Sequence, residues 1–254
     1  MKILQRHRSR LLQTLGAHFE PQASLEEALC GDNINSNKKR VLILSGQHLN
    51  AARALARTRS VSLAQLFGNF AAVLLCAWEG KTENIRCLAE WIGGKVEVTR
   101  FRGDAHCYAI KALALAKPFS GLEFGPVKAE SDFGLTVAGT SCPVETIVSI
   151  GELSFFFRAM LPGTQLFVSC SSCIFDVDAE ARRNLRAALS FSGLAPLLFF
   201  LRDCGISAWQ TPLRAANILI DDPDLKKSYG FIDPKTLAQW VDKLGCAVSI
   251  GFIP

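Results

Sequence analysis

Two uninterrupted apolar runs, Val41-Leu42-Ile43-Leu44 and Ala71-Ala72-Val73-Leu74-Leu75-Cys76, bracket a segment from Leu49 to Ala56 whose apolar positions recur at helical spacing. Runs without polar interruption suit strands covered on both faces, as in parallel sheets. Thr82 is placed to cap a helix running through Trp91, with Gly93-Gly94 as its stop, and Lys95 to Phe101 alternates as a third strand. Strand, helix, strand, helix, strand over about sixty residues predicts a doubly wound, mostly parallel α/β sheet. Asp104 to Lys117 reads as a further helix.

The texture changes from Gly134 to Ser169. Leu135-Thr136-Val137, Glu145 to Ile150, Ser154 to Phe157 and Gln165 to Val168 are separated by turns at Gly139, Gly151-Glu152 and Pro162-Gly163. Short strands with Gly/Pro turns predict a β-meander, a hairpin set inserted in or appended to the sheet. Asp178 to Asp203 carries a long helical pattern with Pro196 inside it. Ala215 to Ile220 then reads as a strand, Pro234 to Leu244 as a helix with Asp233 at its N-cap, and Cys246 to Ile253 as a strand. A crossover of that length makes the last two strands parallel. The resulting division is 1–40, a helical basic extension and linker; 41–213, the α/β domain with its meander; and 214–254, a separate β-α-β start.

Composition narrows the class. Of 254 residues, 49% are hydrophobic and 20% charged, which fits a globular chain and excludes disorder. The net charge of +5 belongs to the first sixty residues, which hold 10 Lys/Arg against 4 Asp/Glu. Arg6, Arg8, Arg10 and Lys38-Lys39-Arg40 could touch phosphates, but no aromatic residues interleave them, and no nucleic-acid partner is expected. The nine cysteines are scattered and odd in number, which reads as buried thiols in a reducing compartment. No secretory h-region follows the basic N-terminus. The apolar stretch Ala187 to Leu201 is short for a bilayer span and closed by Arg186 and Arg202. A cytoplasmic protein with no membrane span is the expectation.

Four constellations could carry chemistry. Asp221-Asp222 ends an apolar run, and adjacent strand-tip residues point to opposite sides, so one carboxylate can hold a cation while the other acts as a base. The plainer reading is a polar exit from a strand that Pro223 ends. Cys170-Ser171-Ser172-Cys173 has the spacing of a redox pair or half a zinc site, but no second Cys-x-x-Cys exists, and buried thiols are favoured. Ser45-Gly46-Gln47-His48 and Trp78-Glu79-Gly80 follow the first two strands, where α/β domains bind ligands. No Gly-x-Ser-x-Gly, Gly-x-Gly-x-x-Gly or P-loop accompanies them, so polar loops are favoured there. Glu130, Asp132 and Glu145 near the meander read as surface acids.

The wording of residues 197–254 adds to this. Phe199-Phe200-Leu201-Arg202, Trp209, Pro212, Ala215, Ile220-Asp221-Asp222-Pro223-Asp224-Leu225, Tyr229-Gly230-Phe231-Ile232-Asp233 and Gly251-Phe252-Ile253-Pro254 resemble the opening of a divergent branch of the polysaccharide deacetylase (NodB-homology) family. The resemblance implies a metal-dependent carbohydrate deacetylase on a distorted β/α barrel, with Asp221 as general base, Asp222 as metal ligand and a divalent metal, zinc foremost, as cofactor. Pro223 stands where the family motif has Gly. The family's two histidine ligands come from a later motif, whereas His7, His18, His48 and His106 all precede Asp221. A barrel needs about 250 residues. The expectation is therefore the N-terminal part of a longer hydrolase, inactive alone, with a flavodoxin-like or amidotransferase-like α/β domain ahead of the first β-α-β. The alternative is a non-catalytic α/β module binding carbohydrate or protein. An enzyme with its site around Ser45, His48 and Glu79 ranks third.

Overall fold

The structure, a computed structural model, describes residues 9–13, 15, 17, 24–30, 40–101, 104–111, 119–175, 187–206, 217–221, 233–245 and 247–251. The chain divides into two units, residues 1–208 and 209–254.

In the first unit, after α1 (Leu25–Cys30), come β1 (Val41–Ser45), α2 (Gly46–Thr58), α3 (Leu63–Leu66), β2 (Ala72–Cys76) and α4 (Thr82–Ile92). The apolar run of β1 lies parallel to that of β2, in a register that sets Ser45 beside Cys76. Helix α4 buries Asn84, Cys87, Leu88, Trp91 and Ile92, one face at helical spacing. Lys81 occupies its N-cap, so Thr82 is the first helical residue. Gly93 closes the helix in the left-handed conformation, at φ 63°.

The remaining strands are β3 (Lys95–Arg100), β4 (His106–Ile110), β5 (Glu123–Val127), β6 (Phe133–Ala138), β7 (Val144–Ile150), β8 (Leu153–Leu161) and β9 (Thr164–Ser169), followed by α5 (Ala187–Asp203). The meander is present as the turn signals predict, with Pro162-Gly163 joining β8 to β9 and Gly163 at φ 82°. The sheet is mixed. The order β1-β2-β9-β8-β7-β4-β5 is parallel at β1–β2 and β2–β9 and antiparallel from β9 through β8, β7 and β4 to β5. Strand β3 pairs antiparallel with β6 instead of extending the parallel set. The meander is thus the continuation of the sheet, joined to it through β9.

One element is corrected. The segment expected to be a helix from Asp104 holds β4, whose His106, Tyr108 and Ile110 are buried while Cys107 is exposed. That is the two-residue period of a strand, and five residues containing His, Cys and Ala show it weakly.

The core gathers where β8 and β9 meet α5. Phe155, Phe156 and Phe157 are consecutive in β8 and all fully buried, so both faces of that strand are covered. From α5, Phe200 meets Phe167 of β9 edge-on at 5.3 Å and Phe199 stacks over Phe156 at 6.3 Å. No helix among the described residues is long and apolar enough to cross a membrane.

The second unit consists of β10 (Asn217–Asp221), α6 (Pro234–Leu244) and β11 (Ala247–Gly251). Its two strands are parallel, with Asn217 opposite Ala247 and Asp221 opposite Gly251.

Candidate functional site

Asp221 is the last residue of β10, at the carboxyl end of a parallel pair. In open α/β sheets that end is where ligands bind. Asp222 lies outside the described residues. The helix that returns the chain starts as the sequence predicts. Asp233 accepts from the backbone N–H of Lys235 at 3.2 Å and of Thr236 at 3.3 Å, and from Thr236 Oγ1 at 2.6 Å. The Thr236 hydroxyl, then the Lys235 N–H, hold its carboxyl below the ordinary value. Gly245 ends the helix at φ 60°.

In the first unit, the carboxyl ends of β1, β2 and β9 bring together Ser45, Cys76 and Ser169. Ser45 is buried, and its Oγ lies 2.9 Å from His48 Nδ1, which also accepts the Ser45 backbone N–H at 3.3 Å. The His48 ring on the Ser45 N–H, with the His48 backbone N–H facing the Ser45 side chain, is a capping box with His in the usual Glu/Gln position. It fixes the start of α2 and engages Nδ1 with the Ser45 backbone N–H as well as its hydroxyl. Glu79 points to solvent and pairs with Lys81 at 2.7 Å. The ground between these residues is filled by Trp78, whose Nε1 donates to the Ser169 carbonyl at 2.6 Å and whose ring meets Phe133 edge-on. The polar residues expected to line a crevice are thus a cap, a surface ion pair and a plug.

Beside them, Leu12, Ile43, Leu74, Cys76, Ser169 and Ser192 help line a pocket of about 20 Å³. That holds about one water and no sugar ring.

The Cys170/Cys173 pair divides. Cys170 is fully buried and its Sγ points to the Ser154 carbonyl at 3.6 Å, whereas Cys173 is exposed. Burial, followed by the charge of Asp132, pushes the Cys170 thiol well above its ordinary value. Burial likewise pushes Cys87 up to about 11. A buried neutral thiol is neither nucleophile nor ligand. With a maleimide and mass-spectrometric mapping, Cys173 and Cys107 are expected to be modified in the folded protein, and Cys170 and Cys87 only after urea. Equal labelling of Cys170 and Cys173 under native conditions would count against this division.

A second buried cluster has no precursor in the sequence reading. His106, Tyr108 and Asp132 are 8%, 0% and 3% exposed. The Tyr108 hydroxyl donates to Asp132 Oδ2, and Ser131 Oγ donates to Oδ1 at 3.0 Å. His106 Nε2 is 3.2 Å from the Tyr108 oxygen, and His106 Nδ1 is 3.3 Å from the Asp104 carbonyl. Burial first, then the Asp132 charge and hydrogen bond, raise the phenol well above its ordinary value. Asp132 is therefore no surface acid. Glu130 is exposed, and Glu145 is held by Arg158 at 2.6 Å. The sequence signal for the cluster was the His106/Tyr108 spacing of two, which puts both on one face of a strand but not of a helix.

Zinc needs three or four protein ligands in structural and catalytic sites. Among the described residues no three of His, Cys, Asp and Glu gather into a possible metal site. The nitrogens of His106 and Nδ1 of His48 are already engaged. The described donors alone do not make the metal site that the resemblance implies.

Comparison with protein-family models finds no match, and comparison with curated proteins finds none. Among solved structures, a cytoplasmic protein from Salmonella typhimurium LT2 is similar over 75% of this chain and 86% of its own, at 12% identity and a TM-score of 0.42.

Proposed function

We propose that this chain is part of a metal-dependent carbohydrate deacetylase-like hydrolase and inactive by itself, with β10, α6 and β11 as the first β-α-β of its barrel. The observation that carries the reading is the parallel β10–β11 pair with Asp221 at its carboxyl end. There the resemblance puts the general base, with Asp222 next to it as metal ligand.

The experiment is a calorimetric zinc titration of the protein, coupled to an assay for acetate released from an N-acetylated oligosaccharide. Weak metal binding and no release are expected. A tight, stoichiometric site that disappears in Asp222→Ala would overturn the reading.

The second reading is a carbohydrate- or protein-binding module. It is favoured by the capped, plugged carboxyl ends of β1, β2 and β9, where Ser45 is buried against His48 and Trp78 bonds the Ser169 carbonyl. Oligosaccharide binding unchanged when both Asp221 and Asp222 are replaced by alanine would select it.

A further inference from the structure

Sequence spacing pairs Cys170 with Cys173, but the fold pairs Cys173 with a different thiol. Cys170 is fully buried and turns its Sγ back toward the Ser154 carbonyl of β8. Cys173 is exposed and borders the small pocket between α5 and the sheet, and the partly buried Cys76 at the end of β2 borders the same pocket. Leu74 and Ser169 line it from the sheet, Gly193 and Leu197 from α5. Its volume of about 20 Å³ is the room of a single water.

We propose that Cys76 and Cys173 are a redox couple, which a small-molecule disulfide such as glutathione disulfide converts into an intramolecular disulfide tying the end of β2 to the segment between β9 and α5. A disulfide needs Cα atoms within about 7 Å of each other. The backbone supplies the approach. Leu75 pairs with Val168, so Cys76 lies beside Ser169 in the next position. Past the strand ends the Trp78 N–H donates to the Ser171 carbonyl at 3.1 Å, which keeps the two chains side by side. The Cys173 N–H then returns to Ser171 Oγ at 3.1 Å, a local turn that keeps Cys173 near the same rim. On either side of Cys173 the backbone is pinned. The Ser172 N–H donates to the Ser131 carbonyl at 2.9 Å, and the Phe175 N–H to the Gly193 carbonyl of α5 at 3.4 Å. A Cβ on Gly193 would lie 2.7 Å from the Phe175 nitrogen, so the segment meets the helix at backbone level.

The exchange runs in two steps. The Cys173 sulfur gives up its proton and attacks one sulfur of glutathione disulfide, forming a mixed disulfide and releasing one glutathione. The Cys76 sulfur then gives up its proton and attacks the Cys173 sulfur, releasing the second glutathione. Each departing glutathione takes up one of the protons, so two cysteine thiols are oxidised and one glutathione disulfide is reduced. Exposure sets the order: the solute meets Cys173 first, and Cys76 meets a sulfur already held at the pocket. Transient, redox-sensing disulfides are the kind that form where the surroundings are otherwise reducing. Once made, the bond fixes the rim where β2 and β9 end, on the side that α5 covers. Both cysteines lie in the first unit, so the couple does not rest on the barrel reading of the second.

The test is incubation of the intact, reduced chain with glutathione disulfide, then alkylation of the remaining thiols, digestion without reductant and mass spectrometry. A peptide pair joined through Cys76 and Cys173 is expected in the monomer, with alkylation lost at both. Cys76→Ser is expected to stop at the mixed disulfide, with glutathione left on Cys173, and Cys173→Ser to leave Cys76 open to alkylation. Glutathione remaining on Cys173 of the wild-type chain, a Cys170–Cys173 link, or no reaction at either cysteine would each overturn the proposal. The wild-type digest decides the matter even if Cys76→Ser does not fold.

Discussion

Trp78→Ala is expected to destabilise the first unit by about 4 kcal/mol, within the range for removing a buried aromatic side chain. Trp78 is 1% exposed, meets Phe133 edge-on at 5.0 Å and donates Nε1 to the Ser169 carbonyl. It also seats the start of α2. A side chain on Gly46 would lie 2.6 Å from Trp78 Cβ and 3.0 Å from its Cα, so helix and tryptophan are in backbone-level contact and cannot close the cavity without moving. Interiors relax only partly around such losses. Against a total stability of about 5–15 kcal/mol, the loss is a large share. Trp78→Phe retains a ring and forgoes the hydrogen bond, and its cost is expected to be about a third as large. Urea unfolding followed by far-ultraviolet circular dichroism checks both. A Trp78→Ala loss below about 1 kcal/mol would show that the plug is replaceable.

The second large effect is expected at Asp132. Asp132→Ala removes the acceptor of both the Tyr108 and Ser131 hydroxyls, and leaving these donors unsatisfied costs about 3 kcal/mol. Tyr108→Phe deletes the bridge from the other end. Because each change orphans the other's side of the shared hydrogen bond, the double variant is expected to be little worse than Asp132→Ala alone, with a coupling of about 1–3 kcal/mol between the positions. Urea titrations of the two single variants and the double complete the cycle. Additive losses would mean that Tyr108 and Asp132 contribute independently, and the network would reduce to unrelated hydrogen bonds.

What the sequence revealed of this fold follows from the range of the forces involved. Val41 to Leu44 and Ala72 to Cys76 declare themselves because a strand covered on both faces must be apolar throughout, and the structure pairs them in parallel. Asp233-Pro234 declares a helix start because capping is local chemistry within three residues. Strand β5 was hidden by Gly125 and Pro126 inside it, residues that ordinarily argue against a strand. The partner of β3 was hidden for a different reason: its alternation says that it pairs, and nothing in Lys95 to Arg100 says that the neighbour is β6. At the sites the division is the same. Asp221 as the tip of a strand could be read from the apolar run before it. The burial of Asp132 could not, since the tyrosine that receives it stands 24 residues earlier in a strand that looked like a helix.

Strand β9 has one neighbour on each side, and the two are reached at different distances along the chain. It pairs with β8 across the Pro162-Gly163 turn, whereas the contact of Trp78 with Ser169 closes a loop of 91 residues. Chain entropy makes short closures early and long ones late. The hairpins of the meander can therefore assemble while β1 and β2 are still a separate pair. Pairing of β9 with β2 joins the meander to the parallel strands and seats Trp78 at once, so the carboxyl-end rim of those strands hangs on the longest closure in the sheet as described.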